Sequence, residues 1–222
     1  MSVSESTVAR YTLVDPDCRL MIAVREDDAT AFNELVERYQ NRLVTVLEHL
    51  VGSRDQAEDL AQEVFLRVYR ARKRYVPGSK FSTWLFTIAN HAAANALRSR
   101  SRRPELNLNA NESGPMGANP LDRLAVAASG QMPSRQLAKV ELRDVVQAAL
   151  ATLNERQRMA VLLSKFEEMS YADIAETMQL SVQAVKSLLS RARVSLRELI
   201  EPYMEQGSAL PHPIADGQGQ AK

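Results

Sequence analysis

Apolar residues recur along most of this chain at the three- and four-residue spacing of an amphipathic α-helix. Between residues 17 and 103 the pattern falls into four segments, with turn-forming residues such as Gly52 and Gly78 between them. The last segment has apolar residues at i, i+3, i+4 and i+7, namely Phe81, Trp84, Leu85 and Ile88. No segment alternates in the manner of a β-strand. The sequence therefore predicts a compact unit of four helices over residues 17–103.

The remaining residues divide the chain into further parts. Residues 104–134 are rich in Asn, Gly, Pro and Ser and lack a sustained period, so they predict a flexible linker. Helical spacing returns in residues 135–203, where Pro202 is expected to end the last helix. Residues 1–16 and 204–222 predict a flexible N-terminal extension and a disordered tail. The predicted fold class is all-α, with two helical domains joined by a flexible linker.

The second domain contains a helix-turn-helix pattern in the segment SYADIAETMQLSVQAVKSLLSRAR, which begins at Ser170. Ser170 and Ser181 are suited to cap the two helices, and the small Ala175 allows the helices to cross closely. Gln179 occupies a turn position where glycine is usual, so we expect a backbone there that is either strained or differently shaped. In such motifs the second helix lies in the major groove of DNA.

The outward face of that second helix is small, polar or basic: Gln183, Ala184, Lys186, Ser187, Ser190, Arg191 and Arg193. Small side chains permit close approach to DNA, and Lys and Arg bind phosphates or the acceptor edge of guanine. The alternative interpretation of the same pattern is a solvated basic face on an ordinary helical hairpin.

A second charge signal lies in the first domain, because residues 64–103 contain no Asp or Glu. Their basic residues are Arg67, Arg70, Arg72, Lys73, Arg74, Lys80, Arg98, Arg100, Arg102 and Arg103. Aromatic residues interleave with them, a mixture that suits a nucleic-acid backbone and exposed bases, and Tyr75 in the loop is placed to meet an unstacked base. The helix dipole explains the acidic residues just before this stretch, but it does not explain basic residues that continue across the next loop and helix.

The composition does not indicate several other classes of site. The chain has one cysteine and three scattered histidines, so it has no internal disulfide and no metal-ligand spacing. No nucleophile–base set or phosphate loop is found, so an enzyme is the least favoured class and no cofactor is expected. No apolar run reaches membrane-spanning length and the N-terminus lacks a secretory signal pattern. We therefore expect a cytoplasmic protein without membrane insertion.

Three motifs carry a family resemblance: DQAEDLAQEVFLRVYRAR from Asp55, KFSTWLFTIAN from Lys80 and AVKSLLSRARVSLREL from Ala184. In this order, with a linker before the third, they resemble the signatures of extracytoplasmic-function sigma factors, the small two-domain sigma subunits of bacterial RNA polymerase. The resemblance covers residues 17–103 and 135–200. It implies a protein that binds core RNA polymerase and promoter DNA, and it leaves open whether an anti-sigma factor also binds.

The resemblance also implies roles for individual residues. The first domain is similar to sigma region two, whose acidic helix docks on the polymerase clamp, here through Asp59, Gln62 and Glu63. The following loop and basic helix grip and open the minus-ten element, with single-strand DNA contacts from Arg72, Lys73, Arg74, Tyr75, Lys80 and Arg98. The second domain is similar to region four, which reads the minus-thirty-five duplex through Gln183, Lys186, Ser187, Ser190, Arg191 and Arg193. This recognition helix departs from the family's frequent GTVKSR motif, which changes the expected readout surface.

Two other classes of protein stand as alternatives. A conventional helix-turn-helix regulator needs a dimer interface or a ligand pocket in residues 17–103, and it does not bind core polymerase in the absence of DNA. A helical protein that sequesters a transcription factor predicts no DNA dependence at any salt concentration. Both are less favoured, because the first domain pairs an acidic patch with a wholly basic stretch.

Overall fold

The computed structural model of the protein describes residues 4–102 and 145–205. Within these two ranges the regular structure is helical and no strand occurs, which confirms the all-α prediction. The helices are α1 (Glu5–Val14), α2 (Pro16–Arg25), α3 (Ala29–Val51), α4 (Arg54–Ala71), α5 (Phe81–Arg102), α6 (residues 145–152), α7 (Glu155–Lys165), α8 (Tyr171–Met178) and α9 (Val182–Glu205). A short 3-10 turn, Arg72–Arg74, follows α4. The predicted linker and the tail from residue 206 onward lie outside the described residues.

Helix ends lie where the sequence predicts caps. Gly52 ends α3 with φ +79° and donates its N–H to Glu48, and the Ser53 hydroxyl caps the start of α4. Asn154 and Gln157 form a reciprocal capping box at the start of α7. These contacts satisfy backbone groups that a helix leaves unpaired at its termini, so each helix begins or ends at a defined residue.

Two predictions about helix limits are wrong. Residues 1–16 were predicted to form a flexible extension, yet Glu5–Val14 form α1, which Ser4 caps at its start. Arg19 of α2 donates to the carbonyls of Thr12 and Leu13 at 3.2 and 3.1 Å, and so satisfies acceptors at the end of α1. Pro202 was expected to end α9, but the helix continues through it to Glu205.

The core of the first domain is formed by α2, α3, α4 and α5, as the four-helix prediction requires. Its largest fully buried side chains include Met21, Leu35, Leu43, Leu47, Phe81 and Phe86. The buried ring of Tyr39 packs edge-on against Phe81, and its hydroxyl donates to Asp17 at 2.6 Å. This packing fixes α5 against α3, and it therefore fixes the loop that precedes α5.

The described residues fall into two compact units. Residues 153–192 belong to the same unit as residues 4–102, and within it α8 packs on α5 while α7 packs on α3. The fully buried Thr177 of α8 donates its hydroxyl to the carbonyl of Thr83 in α5, at 3.4 Å. The second unit contains α6, with Val145, Ala149 and Leu150 buried, and the part of α9 from residue 193 onward.

Candidate nucleic-acid and protein-binding surfaces

Acidic and amide side chains form a surface on α4 that we call the acidic patch (Asp59, Gln62 and Glu63). Asp59 and Gln62 are exposed and Glu63 is half-buried. The Glu63 carboxylate accepts a hydrogen bond from Arg67 Nε at 2.8 Å, and this bond holds the pKa of Glu63 below its usual value. Asp59 and Glu63 are four residues apart on the helix and therefore lie on the same side.

An apolar groove runs beside the acidic patch, between α3 and α4. It encloses about 710 Å³, and its lining includes Phe32, Val36, Gln62, Leu66 and Tyr69. Leu66 is 50% exposed and Tyr69 is 40% exposed, although both are large apolar side chains. Neither residue is among the protein-binding residues that the sequence predicts. The available signal was an apolar pair on α4 at i and i+3 that lies off the buried stripe of the helix.

The basic turn (Arg72–Arg74) lies against the α2–α3 connection. Arg72 Nε donates to Asp27 Oδ1 at 3.1 Å, and Lys73 Nζ donates to Asp27 Oδ2 at 2.6 Å. The Arg72 guanidinium also lies over the Tyr69 ring, 3.9 Å from its centroid. Arg74 is exposed and forms no ion pair within the described residues.

Tyr75 is not exposed in the loop, where the sequence predicts that it meets an unstacked base. Its side chain is buried, with 4% exposure, and its ring packs on Trp84 at a centroid distance of 4.9 Å. Its hydroxyl donates to the buried Cys18 Sγ at 3.3 Å, and burial raises the pKa of the Cys18 thiol to about 11. The ring is thus part of the core and cannot stack on a base in this conformation. The neighbouring Val76 is exposed instead.

The remaining predicted single-strand DNA residues lie at the two ends of α5. Lys80, just before the helix, pairs with Asp173 of α8 at 3.0 Å. Burial acts to raise the pKa of Asp173, but hydrogen bonds from Lys80 and Ser170 outweigh it and the pKa is lowered. Arg98, near the other end, is exposed and donates to Asn95 at 2.6 Å.

The predicted recognition helix is the first part of α9. Its Val185 and Leu189 are buried, and Ser181 caps its start by accepting the N–H of Ala184 at 3.1 Å. The outward residues lie on the surface: Gln183, Lys186, Ser190, Arg191 and Arg193 are exposed, and Ser187 is half-buried. Gln179 in the preceding turn has φ +54°, in the left-handed region where a residue other than glycine is strained. The geometry suits a helix that presents one polar, basic face to a partner.

Metal and membrane sites are not indicated in the part of the chain that the structure describes. No group of three or more His, Cys, Asp or Glu side chains there is arranged to hold a metal ion. Within the same residues, no helix has both the length and the apolar character that a membrane span requires.

Comparison with protein families gives two matches, one in each predicted domain. The model of Sigma-70 region 2 matches residues 35–103, and the model of Sigma-70, region 4 matches residues 143–196. The chain is 32% identical to the RNA polymerase sigma-H factor of Pseudomonas aeruginosa over 86% of its length and 97% of that protein. It is 34% identical to the ECF RNA polymerase sigma-E factor of Haemophilus influenzae, over 85% of its length and 97% of that protein.

Two solved structures share the fold. CnrH in complex with the cytosolic domain of CnrY has a TM-score of 0.61 and 21% identity, over 85% of this chain and 99% of that one. The sigma factor RpoE of Bartonella quintana, in complex with the anti-sigma factor NepR, has a TM-score of 0.57 and 24% identity, over 77% of this chain and 96% of that one.

Proposed function

Because the chain belongs to the extracytoplasmic-function sigma factors of the sigma-70 family, we propose that separate surfaces of it bind core RNA polymerase, the minus-ten element and the minus-thirty-five element. The protein is a sigma factor, and a conventional helix-turn-helix regulator is not favoured. The observation that carries the assignment of surfaces is the presence of region two and region four in that order, each with an exposed charged face.

The acidic patch is the proposed polymerase-binding surface. Asp59 and Gln62 are exposed, and they lie beside the apolar groove with its exposed Leu66 and Tyr69. Protein interfaces typically have apolar side chains at the centre, which lose water on binding, and charged groups at the edge. The polymerase thus gains affinity from the groove and orientation from the carboxylates.

The minus-ten surface is proposed to consist of the basic turn, Lys80 and Arg98. All are basic and lie in or beside a stretch without acidic residues, so they suit the backbone of a separated DNA strand. Tyr75 is excluded from this set because its ring is buried. The exposed Val76 is the apolar side chain of the loop that remains accessible to a base.

The minus-thirty-five surface is proposed to be the outward face of α9. Lys186, Ser190 and Arg191 are exposed there, opposite the buried Val185 and Leu189. The planar guanidinium of Arg191 matches the two acceptors of guanine in the major groove, whereas Lys186 is suited to a phosphate.

Other properties follow from this role. The relatives are sigma factors, which are not enzymes, and we propose that the chemistry of transcription belongs to the polymerase. We also propose a cytoplasmic location, since bacterial transcription takes place there. An anti-sigma factor is a further proposed partner. The test is whether such a factor competes with core polymerase for binding to the full-length chain.

The test of the polymerase-binding surface is co-purification of the full-length chain with core RNA polymerase. Asp59→Lys/Glu63→Lys should abolish co-purification while the helical circular dichroism signal is retained, because both side chains lie on the surface. The matched control is Glu37→Lys/Glu176→Lys, which makes the same charge change at two exposed positions outside α4. Co-purification of the α4 variant at the wild-type level would exclude the acidic patch as the docking surface.

A further inference from the structure

Asp27, in the connection between α2 and α3, has an unusual backbone and two cationic partners. Its φ is +68°, in the left-handed region that favours glycine and that Asp or Asn tolerates better than most other residues. Its side chain is 56% exposed, so burial does not account for an aspartate at this position. The carboxylate is instead occupied by the basic turn.

Each oxygen of the Asp27 carboxylate accepts from a different cation of the basic turn. Oδ1 accepts from Arg72 at 3.1 Å, and Oδ2 accepts from Lys73 at 2.6 Å. Two of three consecutive cations therefore share a single carboxylate, which is an arrangement that a phosphate group also fits. The hydrogen bonds from Lys73 and Arg72 lower the pKa of Asp27, so the carboxylate is ionised at neutral pH.

The other charged groups around this connection have different partners. Glu26, one residue earlier, pairs with Arg25 at 3.0 Å. Asp28, one residue later, caps α3 by accepting the N–H groups of Thr30 and Ala31. Of the acidic side chains in the connection, Asp27 is the one that pairs with the basic turn within the described residues.

We propose that Asp27 takes the place of a DNA phosphate on Arg72 and Lys73 in the free protein. The inference rests on the proposed role of these two residues in strand binding. The carboxylate and a phosphate accept from the same donors, so a strand that uses Arg72 and Lys73 must first displace Asp27. The free-energy cost of displacing Asp27 weakens the binding of Arg72 and Lys73 to DNA phosphates, irrespective of base sequence. It therefore reduces the retention of free sigma factor on bulk nucleic acid.

A purely structural role makes the opposite prediction. If Asp27 only ties the α2–α3 connection to the basic turn, its loss leaves Arg72 and Lys73 less well positioned, and strand binding weakens. If Asp27 competes with phosphate, its loss removes the competing carboxylate from the same two cations, and strand binding becomes tighter. The direction of the change therefore separates the two roles.

The experiment measures fluorescence anisotropy of a labelled single-stranded oligonucleotide with the full-length chain over a range of salt concentrations. Asp27→Asn should bind about three- to tenfold more tightly at low salt, since each exposed ion pair that is removed has a modest strength. Asparagine is tolerated at positive φ, so the backbone should be retained. The matched control is Glu26→Gln, which makes the same charge change one residue away and should have less than about a twofold effect.

A second pair of variants separates this inference from the proposed function. In an Arg72→Ala/Lys73→Ala background, Asp27→Asn should no longer change strand binding. Binding by Asp27→Asn that equals the Glu26→Gln control, or that is weaker than wild type, would overturn the inference. If Arg72→Ala/Lys73→Ala itself binds the strand as tightly as wild type, the proposed minus-ten surface fails, and the role of Asp27 fails with it.

Discussion

Arg42 of α3 donates a hydrogen bond of 2.5 Å to Glu167, a residue of the α7–α8 connection whose side chain is only 1% exposed. The Arg42 side chain is 44% exposed, and its guanidinium also lies over the Tyr39 ring, 4.9 Å from the ring centroid. The pair joins residues that are 125 positions apart in the chain. The two members of the pair therefore differ in how their charges are compensated. The buried Glu167 carboxylate relies on Arg42, whereas the Arg42 side chain is also in contact with water.

This inequality predicts different effects for the two truncations. Arg42→Ala leaves a buried carboxylate without its cation and should lower the free energy of unfolding by about 1–3 kcal/mol, less than for a fully buried pair because Arg42 is partly solvated. Glu167→Gln retains a hydrogen-bond acceptor and should cost less than about 1 kcal/mol. Urea unfolding monitored by circular dichroism measures both values. Equal losses in the two variants would contradict the assignment.

The same variant has a predicted pH dependence. Burial raises the pKa of Glu167 and Arg42 opposes that rise, so the pKa should increase further in Arg42→Ala. A protonated Glu167 needs no cation, so the stability deficit of Arg42→Ala should be full above the raised folded pKa. The stability deficit should shrink as the pH falls toward the pKa of a glutamate in the unfolded chain, about 4.3. Unfolding at several pH values checks this, and a deficit that does not change with pH would contradict it.

Removal of the basic turn should separate polymerase binding from promoter opening. Arg72→Ala/Lys73→Ala/Arg74→Ala should retain core polymerase but fail to form open complexes, as measured by permanganate footprinting. The plot of log binding constant against log salt concentration should be less steep by up to about 2, because the variant makes three fewer contacts with the single strand. Fewer counterions are then released when it binds. Arg10→Ala/Arg156→Ala/Lys165→Ala, at exposed positions elsewhere, is the control for net charge. Normal opening by the turn variant would exclude the assignment.

The recognition helix gives a prediction about base preference. Arg191→Ala should lose about 1–3 kcal/mol on the cognate site and relax the preference at one base position. Selection from randomised duplexes by the polymerase complex measures both effects. Lys186→Ala should weaken all sites alike if Lys186 binds only phosphate. Selection of the same upstream motif with equal stringency by wild type and Arg191→Ala would show that Arg191 does not read sequence.

The left-handed Gln179 predicts that a glycine increases stability. Gln179→Gly removes the steric cost of positive φ, about 1–2 kcal/mol, but it adds about 0.5–1 kcal/mol of chain entropy to the unfolded state. The net gain should be up to about 1.5 kcal/mol in thermal or urea unfolding. Gln179→Ala is the control, because it removes the side chain but retains the strained Cβ, and it should give no gain. Equal stabilisation by both variants would rule out backbone strain as the cause.

The features that the sequence determined by itself are helix caps and helix faces, which depend on residues that are close together in the chain. The caps at Ser170 and Ser181 were predicted correctly because a capping side chain bonds to backbone two or three residues away. The buried Val185 and Leu189 and the outward Lys186 and Arg191 follow in the same way from the helical repeat. The family motifs added the order of the two domains and their function.

The tertiary structure alone decided which side chains meet across the fold. Tyr75 has the composition and position of a loop residue that faces DNA, but Cys18, 57 positions away, and Trp84 enclose it in the core. Lys73 is part of an uninterrupted basic stretch, yet its carboxylate partner Asp27 lies 46 positions earlier. Helical periodicity and capping report on residues within about one turn. Partners at these separations become neighbours only when the helices pack, so no local pattern in the sequence specifies them.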